Sequence, residues 1–123
     1  MKRPRSVTKI QAILKRDDRY DVRAYAFVNE ALNFVVSSLP KNRHISGREL
    51  LDGLRKLALN RYGNMARLVL ESWGIFSSED VGEIVFNLIE AGVLARQDTD
   101  TRDDFVGVLN FKKVFDEARI EWL

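Results

Sequence analysis

Residues 46–94 read SGRELLDGLRKLALNRYGNMARLVLESWGIFSSEDVGEIVFNLIEAGVL, and this stretch decides the fold. Ser46 is a good N-cap, and Glu49 three residues on completes a capping box. The spacing predicts a helix to about Arg61, with Leu50, Leu54, Leu57 and Ala58 inward and Leu51 at the edge. Arg48, Asp52, Arg55 and Lys56 face solvent, and Leu59 falls among polar residues, exposed in a monomer. Tyr62-Gly63-Asn64 supplies a left-handed stop. A short helix over Met65–Trp73 follows and ends at Gly74. Ser77 then caps a third helix, with Asp80 at its N3 position and Phe76 placed to staple against Val81. Val81, Ile84, Val85, Leu88 and Ile89 form its buried stripe. Gly82 inside it costs about 1 kcal/mol relative to Ala, which a close approach to another helix explains. Gly92 stops this helix.

Outward from that stretch, Val93–Arg96 and Phe105–Leu109 read as two strands joined by the polar tip Asp98–Asp104, a small antiparallel β-hairpin. Asn110 then caps a terminal helix over about 111–121 bearing Val114, Phe115, Ala118 and Trp122. Helix, helix, sharp turn, helix and hairpin is the order of a winged helix-turn-helix. The expected fold is therefore a single domain, mainly α with one hairpin and winged-helix-like, over residues 20–123. Asp21–Leu39 is its central helix, with an apolar face wide enough to pack on more than one side. Pro40 stops it, and Lys41-Asn42-Arg43-His44 is a polar connection. Residues 1–19 form a basic arm or a short helix, with Ile10, Ile13 and Leu14 at helical spacing.

At 123 residues and 46% hydrophobic, the chain suits one core. The absence of cysteine excludes disulfides and thiolate metal sites or nucleophiles, and fits a reducing, cytoplasmic location. No signal peptide and no run of 18 apolar residues is read, so a membrane span is not expected. The net charge of +2 hides segregation. Residues 1–19 and 41–67 each carry seven Lys/Arg, whereas residues 77–105 carry eight carboxylates. Such a dipolar surface can steer an oppositely charged partner or a second copy.

Three segments resemble a family of small, functionally uncharacterised bacterial proteins found notably in planctomycetes and verrucomicrobia. They are Tyr20–Val28, the run Tyr62–Ile75 and the run Val81–Gly92, with Asp104-Phe105 and Asn110-Phe111 similar to its C-terminal part. The resemblance implies a shared compact domain, and it carries no activity, ligand or catalytic residue.

His44, the only histidine, lies beside a helix cap with no nucleophile placed by spacing, so it reads as a surface residue. Asp98, Asp100, Asp103 and Asp104 invite a calcium reading. Counted from Asp98, position six is Asp103 rather than glycine and position twelve is Leu109 rather than glutamate. The expectation is therefore no catalytic residues, no metal and no cofactor.

The would-be recognition helix offers Glu79, Glu83, Asn87 and Glu90, which phosphates would repel. The favoured reading is a non-enzymatic protein-interaction or scaffold domain, with an unidentified partner or self-association. Its candidate residues are Leu59, Phe86, Glu79, Glu83 and Trp122. The alternative is nucleic-acid binding through the basic arm and the second core helix, using Arg48, Arg55, Lys56, Arg61 and Arg67 in a backbone-tracking mode.

Overall fold

A computed structural model describes residues 5–41, 43–94, 102–107 and 110–116. Five α-helices run in order: α1 Arg5–Arg16, α2 Val22–Ser37, α3 Gly47–Tyr62, α4 Ala66–Ser72 and α5 Ser78–Glu90. Single 3-10 turns occur at Gly63–Met65 and Arg102–Phe105, and a π-type turn at Lys112–Asp116.

Local chemistry sets most of these ends. Asp21 and Ser77 cap α2 and α5, accepting from Arg23 N and Asp80 N. Ser46 and Glu49 form the complete capping box of α3. Ser46→Ala should therefore lower stability by about 1 kcal/mol without changing the fold, as read by chemical denaturation.

Two glycines close helices in the same way. Gly74 has φ +96°, and its N–H and that of Ile75 donate back to the carbonyls of Glu71 and Leu70. Gly92 has φ +77°, and its N–H and that of Val93 donate to Ile89 and Leu88. Both arrangements satisfy carbonyls that a helix end otherwise leaves bare, and each folds an apolar residue back over the last turn.

The core lies where α2, α3 and α5 meet. Tyr25, Val28 and Ala31 of α2, Leu51, Leu54 and Ala58 of α3, and Val81, Ile84 and Leu88 of α5 are fully buried. Close packing of α2 on α3 depends on Gly53, since a Cβ there would overlap Val35 Cγ2. At the other end of α3, Phe27, Tyr62 and Trp73 form an aromatic cluster with centroids 5.6–6.0 Å apart. Residues 5–16 are helical, and α1 buries Ile13 while Ile10 and Leu14 lie against the core edge.

The structure overturns the hairpin and with it the winged-helix reading. No strand occurs among the described residues. The reason is where the backbone polar groups go, because a donor or acceptor spent elsewhere cannot join a ladder. Val93 N and Leu94 N both donate to Leu88 O, 2.9 and 3.2 Å away, completing the α5 terminus. On the return side, Phe105 O accepts from Ser78 Oγ at 2.6 Å and Gly107 N donates to Glu79 Oε1 at 2.9 Å. The first half of the polar tip, Asp98–Thr101, lies outside the described residues. So does the end of the expected terminal helix, although Asn110 Oδ1 does accept from Lys113 N at 3.1 Å.

Smaller expectations shift as well. Leu51 is fully buried, and Leu59 is partly buried against the core, because α3 is packed on more of its circumference than one stripe implies. Phe76, expected to cover Val81, is 61% exposed, and its backbone N–H is held by Asp80 Oδ2. The close approach at Gly82 is to the ring of Phe105, not to a helix.

Candidate functional site

Two constructions stand out, one polar and one apolar. The polar one joins α1 to α5. Asp17, just past α1, accepts from Arg19 Nε and Nη2 at 2.9 and 2.6 Å and from Asn87 Nδ2 at 3.1 Å. Asn87 is buried and also donates to Tyr25 Oη at 3.1 Å. Arg19 reaches on to Glu83 at 3.3 Å, and Arg16 pairs with Glu90 at the same distance. Lys9 Nζ donates to Gly92 O, at the carbonyl end of α5 where a cation is favoured. The neighbouring Tyr20 Oη donates to Asp80 Oδ1 at 2.7 Å. The Arg19 guanidinium holds the Asp17 carboxyl well below the usual range. Burial, and then the Asp80 carboxylate, push the Tyr20 phenol upward.

This network accounts for part of the charge segregation of the sequence. Arg16 and Arg19 of the basic N-terminal stretch meet Glu90 and Glu83 of the acidic α5 within one chain. Charges that pair inside the domain contribute little to steering something outside it.

The apolar construction is a cleft of about 500 Å³. One wall is α2, with Val28, Leu32 and Val36, and another is α5, with Val85, Phe86 and Ile89. Leu50 of α3 closes the floor, and Leu94 and Phe105 form the remaining side. The C-terminal half of α2 remains only partly covered here. Leu32, Val35 and Val36 are half-buried despite an apolar face that reads as central helix. Polar groups come from Asn33 and from residues 43–46. Arg43, which lines it, is held by Glu49 in a two-point pair, with Nη2–Oε2 2.8 Å.

The expected site residues scatter. Phe86 lines the cleft. Glu79 pins Gly107, whose N–H lowers the pKa of that carboxyl. Glu83 serves Arg19, Leu59 packs at the core edge, and Trp122 lies outside the described residues. Arg55 and Lys56 share Asp52 at 3.0 and 3.1 Å, and Arg61 makes a two-point pair with Glu30 and lies 5.7 Å from the Phe27 ring. Arg48 is exposed on the first turn of α3, and Arg67 is half-buried on α4. Asn87, expected on an exposed reading face, is inside.

Sequence reasoning missed Leu32, Val36 and Phe105 as a common lining, because they meet only when α2 and residues 102–107 are brought together. Gly47 and Gly82 carried a signal, being small residues on two helices that flank one ring.

Among the described residues, no group of three or more His, Asp or Glu side chains comes together to hold a metal ion. None of the helices described is long and apolar enough to cross a membrane. Among the described residues the fold is thus a small all-helical domain with an apolar cleft between α2 and α5. Set beside protein-family models, curated proteins and solved structures, the chain matches none of them.

Proposed function

We propose that this chain is a non-enzymatic protein-binding or scaffold domain acting in the cytoplasm, and that its partner seats in the α2–α5 cleft. The observation that supports this is the cleft lining itself, ten apolar side chains from six parts of the chain, Ile45 before α3 among them. Grooves of this composition receive the apolar face of a partner segment, and a buried aromatic such as Phe86 is the usual kind of anchor. The bacterial family resemblance belongs to the same reading as a shared compact domain.

Val36, half-buried on the α2 wall, is the position to alter, since an arginine there fills the cleft from its rim. A nuclease-resistant, stoichiometric protein partner should be captured by the wild-type chain at near-physiological salt and lost by Val36→Arg. Capture mainly of nucleic acid, unaffected by Val36→Arg and abolished when Arg48, Arg55 and Lys56 are neutralised together, would replace this reading with the backbone-tracking alternative.

A further inference from the structure

Phe105 is held by a fitting more elaborate than a 3-10 turn requires. Its ring lies between α3 and α5 in a slot that exists because positions 47 and 82 lack side chains. A Cβ on either glycine would lie 2.9 Å from a Phe105 carbon. Its carbonyl accepts from Ser78 Oγ, a fully buried hydroxyl, at 2.6 Å. Two residues on, Gly107 adopts φ +64°, and its N–H meets the Glu79 carboxylate at 2.9 Å. The same ring forms a side of the cleft, next to Val85 and Phe86. An aromatic side chain, one carbonyl and one N–H two residues later are together what a bound peptide presents to a recognition groove.

We infer that the Asp104–Gly107 turn is an autoinhibitory plug: Phe105 occupies from within the chain a position that an aromatic side chain of the partner takes over. This rests on the cleft as the partner site and adds the chemistry of the partner. The partner segment carries an aromatic residue whose carbonyl takes the Ser78 hydroxyl and whose second following N–H takes Glu79. Displacement requires only that the turn leave, because Gly47, Gly82, Ser78 and Glu79 all sit on α3 and α5. A local opening of this kind separates from global unfolding in its denaturant dependence.

Native-state hydrogen exchange on the full chain tests this directly. The Gly107 amide should exchange at a rate insensitive to sub-denaturing urea, while the amides of Leu54 and Ile84 follow global unfolding. Ser78→Ala should speed Gly107 exchange about fivefold, the loss of one hydrogen bond from the closed turn. A peptide spanning residues 102–110, added in trans to the Phe105→Ala chain, should shift the amide resonances of Gly47 and Gly82. The same peptide with alanine in place of its phenylalanine should not. If Phe105→Ala fails to fold, the ring-free Phe105→Leu chain, which keeps Ser78 and Glu79, takes its place in the peptide titration. Gly107 exchange that tracks global unfolding in both chains would overturn the plug, even where the wild type captures a partner in a Val36-dependent way. Equal binding of the two peptides would overturn it too.

Discussion

Gly74→Ala is expected to lower stability by about 3 kcal/mol, of which 1–2 comes from forcing an alanine into left-handed backbone and the rest from overlap. The backbone term follows from φ +96°. The overlap is with Arg19 O, and the Tyr20 ring lies only 3.2 Å from the same added carbon. Neither neighbour can yield freely. Asp21 N donates to Trp73 O at 3.0 Å, so the α1–α2 connection is bonded to the residue just before the glycine. Gly92→Ala is the internal control. Its φ is +77°, and the added carbon meets only the flexible end of the Lys9 side chain, so the backbone term dominates. Thermal unfolding should show a fall of about 10 °C for the first variant and about 4 °C for the second. Equal shifts would mean that the contact with Arg19 contributes nothing.

Asp17→Ala should cost about 2 kcal/mol, the scale of lost charge-assisted hydrogen bonds together with a buried amide left short of a partner. It removes the acceptor shared by Arg19 and Asn87, and leaves the Asn87 side chain with Tyr25 Oη inside the core. The pH dependence has a definite sign. Arg19 first, and Asn87 further down, keep the folded pKa of Asp17 below its ordinary value of 3.8. Its stabilisation is therefore fully present above about pH 4 and is lost as pH falls through the folded value. Glu49, held by Arg43 at a pKa of about 2, and Asp21, held by Arg23 at about 2, act in the same direction but are exposed and screened. Urea denaturation between pH 2 and 5 should thus give a flatter profile for Asp17→Asn than for the wild type. Parallel profiles would place the acid sensitivity elsewhere.

Much of the helix map was legible in the sequence because its signals are local. A Ser with a Glu three residues on caps α3, a Ser with an Asp three residues on caps α5, and glycines at 63, 74 and 92 stop α3, α4 and α5. Each depends on hydrogen bonds spanning a few residues, which spacing encodes. The hairpin reading failed at Val93–Leu94 and Phe105–Gly107 for the opposite reason. Apolar residues flanking a polar turn are equally consistent with a ladder and with segments bonded back onto a helix. Only the position of Leu88 O, Ser78 Oγ and Glu79 decides between them.

The site divides in the same way. Phe86 was among the candidate interaction residues named from the sequence, and it does line the cleft. Its companions Leu32, Val36 and Phe105 are far from it in sequence, and no spacing rule joins them. The charge pattern is the sharpest contrast. By itself the sequence determined that basic and acidic stretches are separated along the chain, and that the helices begin and end where caps and glycines allow. Only the tertiary structure decided that α1 lies on α5, so that Arg16, Arg19 and Lys9 meet Glu90, Glu83 and the α5 carbonyl end. Electrostatic pairing depends on distance in space, which falls to 3.3 Å here between residues 64 and 74 positions apart, and sequence order carries no measure of it.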